Sequence, residues 1–329
     1  MPACDTFKDD FFWMLREGKG YFAWIHGQPY RLARHLRFGH RGHCPLCDDR
    51  APAPREMVRA VTEEQVCENP LFDLVLKALI RAEIRLISRF VPQRSHEERL
   101  TGSLVSEIDS AVFLMRTEFR KTCLQLYSVE KDVDFFYYDL SRGGKLEKTT
   151  GADLGFIMVI DLPDFPYAVK SLILQAKKVD ANSAKIERPQ YQTLSGHGAA
   201  GCAYLLYDMD LPRRCSPLVV GIERYELKKQ YEECVKHNSQ SFSYPFDKAR
   251  SDGHPLSLFL TSHFAYDDPV GLRHGSFKEA LAMFSQLGER RLRTADAAVA
   301  EFNGRIAILS IGRTIRFGTP GNETMEIDV

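Results

Sequence analysis

Two apolar runs flanking a proline-bearing turn constrain this chain more than any other feature. Leu154-Gly-Phe-Ile-Met-Val-Ile160 and Tyr167-Ala-Val-Lys-Ser-Leu-Ile-Leu-Gln-Ala-Lys177 are short, proline-free and rich in aliphatic and β-branched residues, which predicts two strands. The link Asp161-Leu-Pro-Asp-Phe-Pro166 carries two prolines and two aspartates and must turn. A hairpin about residue 164 sets Ile160 opposite Ala168 and Asp153 opposite Gln175. Directly opposed residues share a face of the sheet, and Lys177, two positions on, shares it too. A slip of one residue would part them.

Asp, Gln and Lys on one surface between Ile/Leu/Val runs have a chemical use. Phosphodiester hydrolysis needs a hard divalent cation to polarise the phosphate and activate a water. Mg²⁺ (or Mn²⁺) is held by oxygen ligands, one or two carboxylates with retained waters. Asp153 supplies the carboxylate and the Gln175 amide oxygen a neutral second position. Lys177 supplies a cation that orients the attacking water or offsets transition-state charge. The plainer alternatives are a strand running out into solvent at Gln-Ala-Lys-Lys and a simple turn at Gly-Ala-Asp.

Gly151-Ala-Asp153 and Gln175-Ala-Lys177 resemble the PD-(D/E)xK superfamily, the restriction-endonuclease-like nucleases, in which an Asp starts the second strand and a (Glu/Gln/Asp)-x-Lys ends the third. The resemblance covers about residues 95–210; Ala152 stands where the family has its proline, and Gln175 is a variant of the usual glutamate. It implies an α/β fold with a restriction-endonuclease-like core of helix, three-strand meander, helix and strand. It also implies a Mg²⁺-dependent nuclease, DNA favoured over RNA as substrate, and a setting in restriction or anti-phage defence. The family often adds an acidic residue from its first helix. Here a helix is expected over 96–117, with Ser95 as its cap and Glu98 three residues on. Leu100, Leu104, Ile108, Ala111 and Met115 form its buried stripe. Glu97 lies near the middle of that stripe and Glu107 on its flank, so either is a candidate auxiliary carboxylate. Gln192, on a short helix expected after Pro189, is a candidate substrate-side residue.

The rest of the chain reads as additions to that core: a Cys/His-containing segment over 1–53, a helical region over 54–94, the core over 95–215 and a C-terminal α/β extension over 216–329. In the helical region, helices are expected at 55–67 and 70–91, the second stopped by Pro92. Further strands are expected at 134–140, 203–207 and 306–311, a strand and charged helix within 217–235, loop over 238–254, and a helix over 277–287 capped by Ser276. His40-Arg-Gly-His-Cys-Pro-Leu-Cys47 places Cys44 and Cys47 in a knuckle-like turn with His40 and His43 beside it, a candidate structural Zn²⁺ site. Against it stands the absence of a second Cys-x-x-Cys, which leaves two unpaired thiols in a loop as the alternative. Arg31, Arg34, Arg37 and Arg41 make a basic strip that suits phosphates or, equally, a solvated face. His197, His263 and His274 stand alone and are read as ordinary surface or satisfied core histidines.

Composition narrows the setting. Of 329 residues 44% are hydrophobic and 27% charged, a folded rather than a disordered balance. Lys+Arg and Asp+Glu are equal at 44 each, so nucleic acid would have to be met by a local patch. No apolar stretch is long enough for a membrane span, and the first residues lack a signal pattern. Six of the eight cysteines lie singly, which is not a disulfide scaffold and points to a reducing cytoplasm. The oligomeric state is left open, a homo-oligomer being compatible. The rival from another class is a catalytically silent module on the same fold that grips nucleic acid or a protein, favoured by the neutral Gln175. A zinc-stabilised regulatory protein is a third reading.

Overall fold

A strand that is apolar at every position, not every second one, has to be covered on both faces, and two such strands lie side by side at the centre of this molecule. The computed structural model describes residues 67, 69–93, 95–139, 153–209, 216–265, 270–286 and 305–313. The strands are β1 (Val133–Asp139), β2 (Leu154–Ile160), β3 (Ala168–Asp180), β4 (Ser183–Glu187), β5 (Cys202–Asp208), β6 (Leu218–Gly221), β7 (Ser241–Pro245), β8 (His254–Pro255), β9 (Leu272–His274) and β10 (Arg305–Ile311). They form one mixed sheet whose main path runs β1-β10-β2-β3-β5-β6-β8, with β4 and β9 joined to β3 and β7 joined to β4. The protein is thus mixed α/β, a central mixed sheet carrying helices, as the residue patterns predict.

The strand order corrects two expectations. β1 and β2 are not neighbours in a meander, because β10 lies between them, antiparallel to β1 and parallel to β2. The reason is burial: Ile306 to Ile311 are all buried, and such a run belongs at the centre of a sheet, not at an edge. For the same reason the segment 216–329 is not an appended unit. Its strands β6, β8, β9 and β10 pair with β5, β6, β3 and β2 respectively. The segment 238–254 is not loop. It carries β7, whose Phe242 and Tyr244 turn inward between outward serines, then a short helix at Phe246–Asp252.

Helix α1 (Pro70–Arg89) starts where Asn69 Oδ1 accepts from the Leu71 and Phe72 N–H groups and Pro70 occupies the first turn. Leu71, Phe72, Val75, Leu79, Ala82 and Leu86 are all essentially buried. Helix α2 (Glu97–Tyr127) packs along α1. Its expected buried stripe is as read, but its start and end differ from expectation. His96 occupies the cap position without a side-chain hydrogen bond, and the Ser95 hydroxyl is buried with no partner among the described residues. The helix continues ten residues past 117 because Phe119 and Cys123, both fully buried, extend the stripe from Met115 at helical spacing. It closes on Ser128, left-handed at φ 57°, whose N–H donates to the Leu124 carbonyl.

The two faces of the sheet are covered by different helices. On one, α2 meets β5 through Thr101 Oγ1 and the Tyr207 hydroxyl at 3.1 Å. On the other lies α5 (Phe277–Gln286), whose Phe284 sits so close to Gly155 that a Cβ there would come within 2.5 Å of the ring. Ser276 caps the helix through the Glu279 N–H, as its position predicts. Between β3 and β5 the chain passes through β4 and helix α3 (Arg188–Gly196), and α4 (Tyr225–Lys236) follows β6. No helix among the described residues is long and apolar enough to cross a membrane. The helix expected over 55–67 and the Cys/His segment lie outside the described residues.

Candidate active site

The β2–β3 hairpin has the register that its turn length predicts. Ile160 pairs with Ala168 and Leu154 with Leu174, so the next position sets Asp153 against Gln175. The Asp153 N–H donates to the Leu174 carbonyl, holding the residue at the mouth of the hairpin. The two side chains meet: Gln175 Nε2 donates to Asp153 Oδ2 at 2.5 Å. The same oxygen accepts the Ala176 backbone N–H at 2.8 Å.

Strand lengths create the special feature here. β2 stops pairing at Leu154–Leu174, whereas β4 joins β3 only from Val179–Ala184. The far side of β3 is filled by β5 from Ile173 to Val179. Among the described residues, a stretch of β3 edge between β2 and β4 has no partner strand, and its outward N–H groups belong to Ala176 and Lys178. Asp153 takes the first and Glu97 Oε1 takes the second at 2.8 Å. Two carboxylates thus stand two residues apart along one strand edge, roughly 7 Å by strand rise. Glu97 arrives from the first turn of α2 on the opposite face, where Thr101 and Tyr207 lock that turn to β5.

Of the two helix glutamates, then, Glu97 reaches the edge. Glu107 does not: it lies ten residues along α2, about 15 Å away by helical rise. Its carboxylate pairs with Arg85 at 2.8 Å and Arg89 at 3.8 Å, tying α2 to α1. Lys177 shares the face of Asp153 and Gln175. It is 8% exposed and makes no hydrogen bond or ion pair among the described residues. Gln192 does not join this group. It is exposed and donates to the Tyr231 hydroxyl at 3.1 Å, bracing α3 against α4 beside the stacked Tyr191 and Tyr231 rings.

One neighbour was missed in the sequence. Tyr204 on β5 pairs directly with Gln175, and its hydroxyl, like Gln175 Oε1, is buried with no hydrogen-bond partner among the described residues. A tyrosine hydroxyl in a largely apolar strand was the available signal, but its position beside Gln175 depends on the parallel β3–β5 register.

No family model, curated protein or solved structure matches the chain.

Elsewhere several polar groups sit in structural contacts. His274 Nε2 lies 2.6 Å from Ser171 Oγ, and burial lowers its pKa, as for an ordinary satisfied histidine. Arg116 bridges Asp132 and Asp134 at 2.6 and 2.7 Å. Arg120 also pairs with Asp132, whose carboxyl is held below its usual range by these partners despite burial. Asp134 is pushed up to about 6 by burial. Among the described residues no three His, Cys, Asp or Glu side chains form a metal-holding group. A Mg²⁺ ion needs fewer, since one or two carboxylates and waters suffice. Cys44, Cys47, His40 and His43 lie outside the described residues, as do the arginines at 31 to 41.

Proposed function

We propose that this chain is a divalent-metal-dependent nuclease built on a restriction-endonuclease-like core. The observation that carries the reading is the 2.5 Å contact between Asp153 and Gln175, beside a stretch of strand edge with no partner among the described residues and with Lys177 on the same face. The residues fit a hard cation. Gln175 Oε1 is a buried oxygen with no hydrogen-bond donor, and it belongs to the same amide that touches the Asp153 carboxylate. Asp153 and Gln175 would hold Mg²⁺ or Mn²⁺, which would polarise the phosphate and activate water.

The chain's own groups supply the rest. Lys177, its stem buried and its amine uncommitted among the described residues, offsets the charge that grows on the phosphate or orients the attacking water. Glu97 fixes the adjacent N–H of Lys178 and adds a second negative charge along the edge. The resemblance of Gly151-Ala-Asp153 and Gln175-Ala-Lys177 to the PD-(D/E)xK superfamily supports DNA over RNA as substrate, and a place in restriction or phage defence. In this reading the catalytic unit is the sheet with β10 included. In the 1–53 segment Cys44, Cys47, His40 and His43 are the candidate ligands for a structural Zn²⁺, and the chain works in a reducing cytoplasm.

The test is cleavage of labelled DNA and RNA by the purified chain with Mg²⁺ or Mn²⁺, comparing wild type with Asp153→Ala and Lys177→Ala. Cleavage of DNA by wild type, lost in both variants and on chelation, supports the reading. Binding without cleavage by all three overturns it in favour of a silent binding module, which the neutral Gln175 would suit.

A further inference from the structure

Gln175 is where this chain departs from the usual glutamate of the pattern it resembles, and its amide is only half satisfied. Nε2 donates to Asp153 Oδ2 at 2.5 Å and to the Ala176 carbonyl at 3.3 Å. Oε1, although buried, accepts no hydrogen bond among the described residues. On the adjoining strand, directly opposite in the β3–β5 register, stands Tyr204, whose buried hydroxyl also lacks a hydrogen bond among the described residues. Burial pushes the Tyr204 phenol far up, so it keeps its proton and can both donate and accept.

A primary amide has nearly the same shape after half a turn about its last bond, which exchanges oxygen for nitrogen. With nitrogen toward Asp153 the contact is attractive. With oxygen there, two oxygens face each other, and the contact is repulsive unless a cation lies against both. We infer that Gln175 is a two-position amide coupled to a divalent cation. In the cation-free chain its nitrogen closes on Asp153. When the cation is held, the amide turns, gives Oε1 to the Asp153 side and carries Nε2 away from it. The inference rests on the metal-site reading of Asp153 and explains why an amide is used: two carboxylates in this contact would repel each other in the empty site, whereas the amide keeps it closed and folded.

The experiment is nuclear magnetic resonance of the full chain with isotope-labelled glutamine, titrated with Mg²⁺ alone, with calorimetry of Mg²⁺ binding alongside. The Gln175 side-chain NH₂ pair is identified by its absence in Gln175→Met. The expected result is that this pair shifts in step with calorimetric saturation, and that the shift differs in Tyr204→Phe. Gln175→Glu should melt below wild type without cation, recover on adding it, and bind Mg²⁺ about tenfold more tightly, since ligand charge sets affinity. An NH₂ pair unmoved through a saturating titration overturns the inference, as does calorimetry that detects no binding. These readouts separate the two proposals. An amide that turns in a protein that cuts no nucleic acid removes the nuclease reading alone, and cleavage with an unmoved amide removes this one alone.

Discussion

Replacing Asp153 by Ala and by Asn separates what this carboxylate does for the fold from what it does for the site. Oδ2 accepts two hydrogen bonds, from Gln175 Nε2 and the Ala176 N–H. Gln175 is 1% exposed, so in Asp153→Ala its amide loses its principal partner in a place water does not readily reach. Stranding buried donors costs about 1–3 kcal/mol each, so Asp153→Ala should lose about 2–4 kcal/mol. Asp153→Asn keeps an oxygen of the same shape that accepts one of the two bonds, and should lose about 1 kcal/mol. The two variants thus differ by about 1–3 kcal/mol, and at about 2–4 °C per kcal/mol the alanine variant melts roughly 2–12 °C below the asparagine one in cation-free buffer. Cleavage tells a different story, because both variants lack the charge that holds the cation, and both should fall at least about a hundredfold. Thermal melts and a DNA cleavage time course measure the two effects on the same samples. Equal melting temperatures would refute the hydrogen-bond argument, and an Asp153→Asn protein that cuts like wild type would refute the metal role.

The helix carboxylates give a paired comparison. Glu97→Gln keeps an acceptor for the Lys178 N–H and should leave stability within about 1 kcal/mol of wild type, while reducing cleavage and Mg²⁺ affinity; Glu107→Gln should leave both unchanged, and a reversed order in the cleavage assay would show the wrong glutamate had been placed at the edge. Asp134 provides a pH test. Its folded pKa, raised from 3.8 to about 6 by burial, means the native state holds its proton longer than the unfolded chain, so its contribution to stability falls as pH rises from about 4 to about 6 and is flat above. Asp134→Asn should remove that fall, its melting temperature gaining on wild type across this window by an amount worth about 1 kcal/mol after solvent screening; parallel wild-type and variant profiles would count against it. Thr101→Val breaks the bond to the Tyr207 hydroxyl, which is fully buried, and should cost about 1–2 kcal/mol and loosen Glu97, read as a lower melting temperature together with slower cleavage.

Much of the neighbourhood of the site was legible because it is local. The turn between Ile160 and Tyr167 leaves one register that keeps both apolar strands buried, and that register alone sets Asp153 against Gln175. The α2 stripe likewise placed Glu97 and Glu107 on or beside a buried face, but helical periodicity could not choose between them. The choice was made by Arg85, which belongs to another helix and takes Glu107. Ser241-Phe-Ser-Tyr-Pro245 carried a readable period-2 alternation that its polar composition masked. Tyr204 was invisible as a partner of Gln175, because β5 reaches β3 only after a hairpin and a helix, and no local pattern sets a parallel register across such a crossover.

The sequence by itself determined the elements whose evidence lies within a few residues: the hairpin, its register, the buried face of α2 and the apolar runs that had to become strands. Only the tertiary structure decided where β10 inserts, that Asp153 and Glu97 take the N–H groups of β3 between β2 and β4, and which helix carboxylate reaches that edge. The physical reason is that hydrophobic burial says a strand must be covered but not by which neighbour. That choice rests on pairings between residues far apart in the chain, and those exist only once the whole sheet has closed.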